Sequence, residues 1–473
     1  MSQKTIGIFL FRKDFRIHDN LALYSLFQKC SAVIPIFIFD PSQVKESNSN
    51  KQYRSNSAIQ FMCESLLDLY NQTQKKLIFL YGSPENVIYT IIQQLKTKYD
   101  SIYLAMNLDY TKYALERDTA IKKVCDSHKV SLIVNDHDHT LISFERMIKK
   151  DNTAYLVYNA FYENAKKTKV ATPITLKKYS FITFPFKQIK ILLTTQLKSL
   201  YTENKYLLQR GGRNTALKKL NNPSVYKNYE NKRDLLNFHT FEISAYLNFG
   251  CISVREFYMK MKSNITITKQ IYWRDFYHCI LRYTPYANQY NRCINKDYEK
   301  IKWNPNKKEW ESLIGSKTGF LMIDAGMREL IKTGYIGNRM RLILGSFWIK
   351  YLLIHPLDPV YGSAVGYSRY LVDCNASQNK LNHQWLLEID RYRFAPKEYR
   401  LSGRPFRIDN EMIKKYDKDC EYIKKWIPEL KKIPNQDLYK WDTDMYEKYK
   451  IHTYPIFNWK ERYKMWMAST KGL

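Results

Sequence analysis

Short apolar runs separated by amphipathic stretches fill the first 135 residues of the chain. Ile6–Phe11, Ala32–Phe39, Leu77–Tyr81, Ser101–Ala105 and Ser131–Val134 have the length and content of buried strands, and helix-period segments such as Ser57–Gln72 and Pro84–Lys98 lie between them. Strands that alternate with helices predict a parallel sheet with crossover helices. From 136 to 200 the periodicity fades, and Thr172–Pro173, Phe184–Pro185 and clustered lysines read as a long surface connector. Beyond 201 helical periodicity continues almost to the end, with Pro223, Pro285, Pro305, Pro356, Pro359, Pro405, Pro428 and Pro434 marking helix ends or turns. The expected organisation is an α/β domain at 1–135, a connector at 136–200 and an all-helical domain at 201–473. No Gly-x-Gly-x-x-Gly follows the first strand, which disfavours a dinucleotide held in the Rossmann manner.

Charge changes the picture more than composition does. The 473 residues carry 76 Lys plus Arg against 45 Asp plus Glu, a formal net charge of +31. That balance points to a polyanion such as nucleic acid, although a Lys-, Asn- and Ile-rich chain also reflects an A+T-rich genome. The cysteines at 30, 63, 125, 251, 279, 293, 374 and 420 form no Cys-x-x-Cys pair and no zinc-type cluster with histidine. A reducing intracellular compartment and no metal are expected. The apolar run at Ile6–Leu10 is too brief for a signal peptide or a membrane span, so a soluble cytoplasmic or nuclear protein is expected.

Several motifs stand in a fixed order. Phe11-Arg12-Lys13-Asp14-Phe15-Arg16-Ile17-His18-Asp19-Asn20 follows the first strand, and alone it would read as a charged surface loop. Ile34-Pro35-Ile36-Phe37-Ile38-Phe39-Asp40-Pro41 and Asn107-x-x-Tyr110-x-x-Tyr113-x-x-x-Arg117-Asp118 come next. Then follow Gly319-Phe320-Leu321-Met322-Ile323-Asp324-Ala325-Gly326-Met327-Arg328, Asn338-Arg339-Met340-Arg341, and Asp373, Asn375, Asn379 and Trp385. Together, from about residue 5 to 460, they resemble the photolyase and cryptochrome family. Phe406 to Leu430 resembles its closing motif.

The resemblance implies an N-terminal domain suited to a second, antenna pigment of unspecified identity and a helical domain binding FAD. Gly211-Gly212-x-x-x-Ala216-x-x-x-Leu220 resembles the entry into that domain, and Tyr229-x-x-x-Arg233, Thr240 and Ser244 through Ser253 resemble its phosphate-binding loop. Hydroxyls beside free amides at a helix start suit a pyrophosphate, though either hydroxyl could merely cap a helix. Trp273-Arg274-Asp275-Phe276-Tyr277 resembles the segment whose Trp stacks on the lesion and whose Arg approaches FAD, with Gln270 one turn before. By the same resemblance Tyr335 and Asn338 contact the cofactor, Arg341 and Asp373 pair beside the flavin and favour its anionic reduced form, and Asn379 faces the ring nitrogen that titrates on reduction. Asn375 stands where the family usually has Asp.

A second departure concerns light-driven reduction of the flavin. His383 stands where the first tryptophan of the family's photoreduction chain is expected, Trp303 matches the distal member, and the region of His355-Pro356 offers no middle one. Reduction along that chain is expected to be weak, or rerouted through Trp348 or tyrosines.

The activity the resemblance implies is light-dependent repair of UV-damaged DNA by a monomer. Trp273 and Trp385 would clasp the flipped lesion, Asn338 and Arg339 would contact it, and Lys and Arg would grip phosphates. Members that repair (6-4) photoproducts carry histidines at the positions of Asn338 and Leu342, so their absence favours cyclobutane dimers. Gln270, where that branch usually has Glu, and Ser244 through Cys251 resemble the (6-4) and cryptochrome branch instead. A (6-4) photolyase and a cryptochrome-type receptor are the alternatives. The 43 residues after Leu430 are not a low-complexity signalling tail, which favours an enzyme.

Overall fold

Side-chain alternation along the first two strands sets the two faces of a sheet. In β1 (Thr5–Phe11) and β2 (Val33–Phe39), Ile6, Ile8, Leu10, Ile34, Ile36 and Ile38 point one way, while Phe9, Phe11, Val33, Phe37 and Phe39 point the other. This computed structural model describes residues 4–44, 55–222, 228–284, 293, 296–386, 405, 408 and 410–471. The sheet continues with β3 (Ile78–Tyr81), β4 (Ser101–Asn107), β5 (Ser131–Asn135) and β6 (Lys190–Leu192), in the order β5-β4-β1-β2-β3-β6. All neighbours are parallel except β3 and β6.

Helices cover both faces, as a parallel sheet requires. The isoleucine face packs on Ile88, Ile91, Ile92 and Leu95 of the helix Pro84–Lys96 (α3) and on Ile121 of Lys112–Ser127 (α4). The phenylalanine face packs on Leu23 and Leu26 of Leu21–Phe27 (α1) and on Ile59, Met62, Leu66 and Leu69 of Asn56–Gln72 (α2). Asn20, Ser55 and Thr111 cap α1, α2 and α4 by accepting from the amides of Leu23, Ala58 and Ala114.

Three expectations need correction. Ser131–Val134 reads as buried but lies in the edge strand of the sheet, which pairs on one side only, and Val134 is 47% exposed. The stretch read as an irregular connector contains the helix Tyr158–Ala165 (α5) and the antiparallel strand β6, both too short to leave a clear period. The charged run after β1 is not a surface loop. Asp14, Arg16, Asp19 and Asn20 are almost fully buried against the helical part of the chain.

That burial is made tolerable by pairing. Arg16 Nη2 meets Asp138 at 2.8 Å, and Arg255 Nε meets Asp19 at 2.9 Å. Burial opposes ionisation of Asp138, yet Arg16 and Arg255 overcome it and hold its pKa down to about 2. Gly250, at φ +65°, lies so close to the Lys13 carbonyl that any Cβ would collide with it. Phe15 donates its amide to the Phe249 carbonyl at 3.1 Å, and Phe61, Tyr246 and Phe249 extend the phenylalanine core into the helices.

The helices that matter for the site are Ile265–Tyr283 (α6), Leu321–Thr333 (α7), Asn338–Ser346 (α8) and Ala376–Trp385 (α9). The 319–328 motif opens α7 and is architectural. Asp324 is fully buried and accepts from Thr318 N and Oγ1, Gly319 N and His452 Nε2, while Gly326 lets Met340 of α8 approach. No helix among the described residues is long and apolar enough to cross a membrane.

Candidate functional site

Three helices each turn one polar face toward a common cleft of about 1300 Å³. Gln270, Trp273, Arg274 and Tyr277 come from α6, Asn338, Arg341 and Leu342 from α8, and Gln378, Asn379, Asn382 and His383 from α9. The spacings i, i+3, i+4 and i+7 on α6, i, i+3 and i+4 on α8, and i, i+1, i+4 and i+5 on α9 place each set on one side of its helix. Tyr229, Ser244, Tyr335, Tyr367, Asp373 and Leu386 complete the lining. An adjoining cleft of about 770 Å³ shares Tyr229, Ser244, Gln270, Arg274 and Tyr335 and adds Thr240 and Asn375.

The Arg341–Asp373 pair lies in the larger cleft. Arg341 Nη2 donates to Asp373 Oδ2 at 2.9 Å, its Nε donates to the Ile336 carbonyl at 2.9 Å, and its guanidinium lies 5.1 Å from the Tyr335 ring centroid. Burial alone would lower the guanidinium pKa; Asp373 more than offsets this and raises it. On α6, Arg274 is buried, donates to the His139 carbonyl and sits 3.4 Å from Asp275. Burial dominates there and lowers the Arg274 pKa, while pushing Asp275 up to about 7.

Asn375 is the N-cap of α9. Its Oδ1 accepts from the amides of Ser377 and Gln378 at 3.1 and 3.4 Å, and its Nδ2 donates to Asn248 Oδ1 at 2.9 Å. Asn caps a helix as well as Asp does, so the departure from the family's Asp keeps the helix start. Asn379 lies one turn on, with Nδ2 at 3.1 Å from Cys374 Sγ. His383 is buried, bonded through Nδ1 to Ser363 Oγ at 2.7 Å and edge-on to Tyr367. Burial and Arg341 push its pKa down to about 3, so the imidazole is neutral.

The groups present suit FAD. Ser244 Oγ and Asp373 Oδ1 are buried without a hydrogen-bond partner among the described residues, which is costly unless a ligand supplies one. The short helix Ser244–Asn248 has Ile243 at its N-cap with no side-chain bond, so the Ser244 hydroxyl does not cap it, while the Thr240 hydroxyl is hydrogen-bonded with the Tyr335 phenol.

Not every expected residue joins the cleft. Arg339 follows Asn338 on α8, and one residue turns a helix by about 100°. It therefore faces away, paired with Asp234 at 2.7 Å and lying over the Tyr416 ring. Trp303 packs on His355 and Trp466 outside the cleft. Trp385 ends α9, and its side chain lies outside the described residues, as does Phe406. Conversely, Tyr277, Gln378 and Asn382 line the cleft without having been singled out, and their signal is the i+3 and i+4 spacing from Trp273, Asn375 and Asn379. A separate cleft of about 660 Å³ opens at the carboxyl ends of β1, β2 and β4, between Arg12, Asp40, Asn107 and Tyr113. Among the described residues no group of three or more His, Cys, Asp or Glu could hold a metal.

Comparison with known proteins agrees with this geometry. The family model for DNA photolyase matches residues 7–177, and that for the FAD binding domain of DNA photolyase matches residues 267–471. The chain is 29% identical to a deoxyribodipyrimidine photo-lyase of Buchnera aphidicola, over 96% of this chain and 94% of that protein. It is 27% identical to a (6-4)DNA photolyase of Arabidopsis thaliana, over 91% of this chain and 80% of that protein. An archaeal photolyase from Sulfolobus tokodaii, solved with two FAD molecules, superposes with a TM-score of 0.84 at 28% identity, covering 99% of this chain and 100% of the other. Both halves are matched in order along nearly the whole length, and the cleft residues of α6, α8 and α9 fall inside the FAD-binding match, so the chain belongs to the photolyase and cryptochrome family and binds FAD.

Proposed function

We propose that this protein repairs cyclobutane pyrimidine dimers in DNA under blue or near-ultraviolet light, with FAD in its reduced anionic form in the helical cleft. The observation that carries this reading is the lining itself, where an aromatic wall, Trp273, meets Asn338, Leu342 and the Arg341–Asp373 pair. Thr240 and Ser244 would hold the pyrophosphate, and Arg341, Asp373 and Asn379 the flavin ring. When bound, reduced FAD supplies one electron to the dimer on excitation and takes it back after the ring bonds open, so nothing is oxidised or reduced overall. The fixed positive charge of Arg341 favours a negative flavin beside it. Trp273 stacks on the extruded bases, and the Asn338 amide offers them a donor and an acceptor.

Extrusion costs on the order of a few kcal/mol, as in base-flipping enzymes generally, photolyases included. The positive surface supplies phosphate contacts that make binding salt-dependent and largely sequence-independent. The second cleft, at the strand ends, is the place for an antenna pigment.

The choice of lesion rests on proton chemistry. Repair of a (6-4) product needs an acid at the lesion, whereas Asn338 and Leu342 carry no titratable group. The imidazole that does line the cleft, His383, is tied to Ser363 and stays neutral. A (6-4) activity is the second reading, favoured by Gln270 and by the likeness to the plant (6-4) photolyase.

Lesion-resolved chromatography of UV-irradiated oligonucleotides, after incubation with the reduced protein in light and in darkness, tests all of this. Loss of cyclobutane dimers only in light is the expected result. Loss of (6-4) products would give the site to the second reading, and no loss from FAD-loaded protein would make it a cryptochrome-type receptor.

A further inference from the structure

Trp273 lines the helical cleft, and its indole is held by a ring from a different element. The Tyr158 ring lies parallel to it, with centroids 3.6 Å apart and planes within 4°, and Tyr158 is the first residue of α5. Tyr158 does not itself line the cleft. Its hydroxyl donates at 2.9 Å to the Lys269 carbonyl, the group that α-helix geometry pairs with the Trp273 amide. Tyr158 therefore spans one turn of α6, tied to the backbone at its rim and to the indole along its face.

The short helix that carries Tyr158 is itself anchored. Phe161 is fully buried and meets the Phe276 ring of α6 at 5.4 Å, and Asn164 Nδ2 donates to the Arg146 carbonyl at 3.0 Å. Tyr162 backs the Tyr158 ring at 5.9 Å, within 18° of parallel. On the α6 side, Phe276 meets the indole edge-on at 5.7 Å and Tyr277 lies tilted to it at 6.0 Å. A tryptophan standing alone on a helix samples several rotamers, and freezing it when a ligand arrives weakens binding by roughly two- to tenfold. Here the indole is fixed beforehand. Tyr158 also takes one face of the indole, so a base that stacks on Trp273 has only the opposite face.

We propose that Tyr158 is a positioning residue for the lesion, holding the Trp273 indole in the plane on which the dimer stacks. Lesion discrimination then depends on α5 as well as on the three helices that line the cleft. The ring of Tyr158 carries this role and the hydroxyl does not, because a parallel ring blocks rotation of the indole whereas the hydroxyl reaches only backbone. The effect acts at the pocket, so it is the same for a dimer in a duplex and in a single strand. This inference rests on the reading of the cleft as a lesion pocket, and it extends that pocket's determinants to a residue outside the lining.

The test compares the FAD-loaded full chain with Tyr158→Leu, Tyr158→Phe, Trp273→Leu and the Tyr158→Leu, Trp273→Leu double variant. Each is titrated with an oligonucleotide bearing one cyclobutane thymine dimer, as a duplex and as a single strand, and with the undamaged counterparts. Tyr158→Leu should weaken dimer binding by about fivefold on both forms and leave undamaged DNA unchanged. Tyr158→Phe keeps the stack and should bind the dimer within about twofold of wild type. In the Trp273→Leu background the change at 158 should have no further effect, since the two residues act as one. Dimer affinity that is unchanged in Tyr158→Leu, that falls on the duplex alone, or that falls by the same factor without Trp273 overturns the inference and leaves the lesion pocket standing. Less FAD or a lower unfolding midpoint in Tyr158→Leu, reproduced in the Trp273→Leu background, makes the ring a support of the fold and overturns it too. A wild-type protein that binds dimer and undamaged DNA alike overturns the functional reading and this inference with it.

Discussion

Arg341 Nη2 and Asp373 Oδ2 lie 2.9 Å apart at the wall of the helical cleft, and the second carboxylate oxygen of Asp373 is buried without a hydrogen-bond partner among the described residues. One residue comes from α8 and the other from the loop before α9, so the pair ties together two of the three faces that line the cleft. Removing one partner strands a buried charge, which typically costs about 3–5 kcal/mol. Asp373→Ala should therefore weaken FAD binding by on the order of a hundredfold or more. Flavin absorbance per chain after gel filtration measures it. A variant that keeps its full complement of FAD would show that the pair is not part of the cofactor site.

Asn375 makes a different kind of contact. Its Nδ2 donates to Asn248 Oδ1, and Asn248 Nδ2 in turn donates to the Cys374 carbonyl at 3.2 Å. Asn375→Asp restores the residue usual in the family and keeps the helix cap, but it sets a carboxylate against Asn248 Oδ1. Rotating the Asn248 amide to relieve this forfeits the bond to Cys374. The variant should lose about 0.5–1.5 kcal/mol of stability in urea unfolding, the worth of one such bond. The added negative charge should also make the midpoint potential of bound FAD more negative. An unchanged potential would place Asn375 outside the electrostatic reach of the flavin.

The strands of the sheet are legible because they are continuous apolar runs, whereas β6 and α5 are too short to impress a period on the sequence. The buried role of Asp14, Arg16 and Asp19 is illegible for a different reason. A run of charges looks solvated until the fold brings Asp138 and Arg255 to it from far along the chain. In the cleft, motif resemblance found residues singly, and helix geometry then decided among them. It gathers Asn338, Arg341 and Leu342 and turns Arg339 away. Tyr367 comes from a separate short helix, and its position follows only from tertiary packing.

Asp275 carries a pH dependence of stability. It is fully buried, accepts from the Leu141 amide at 2.8 Å and faces Arg274, and burial pushes its pKa up to about 7. In the unfolded chain the same carboxyl ionises near pH ~4. Between these values the folded protein holds a proton that the unfolded chain releases, so the contribution of Asp275 to stability falls as pH rises through this window. Asp275→Asn cannot titrate. The stability of wild type relative to the variant should decline from about pH 4 to about pH 7 and level off above. His139, pushed down to about 4 by burial, titrates in both proteins and cancels in the difference. Urea unfolding of the two proteins across this range is the measurement, and a difference that rises with pH would mean that Arg274 keeps Asp275 ionised.

Light-driven reduction of oxidised FAD is where this chain should part from its relatives. His383 occupies the first position of the expected tryptophan chain, and its imidazole is neutral and hydrogen-bonded to Ser363. Neutral imidazole is far harder to oxidise by one electron than indole, so this position is a poor donor. Trp303, which matches the distal member, meets the imidazole of His355 edge-on at 5.2 Å and the indole of Trp466 at 6.2 Å. The rings that do adjoin the cleft run another way, from Tyr367, which lines it, to Trp348 at 5.9 Å. Under blue light with an external thiol as the final electron source, bleaching of flavin absorbance should be slow in wild type and faster in His383→Trp. Trp348→Phe should slow the wild-type rate further, while Trp303→Phe should leave it unchanged. Transient absorption distinguishes the routes. A fast tryptophan radical in wild type that vanishes in Trp303→Phe would mean that the usual direction of electron flow survives the loss of its first indole.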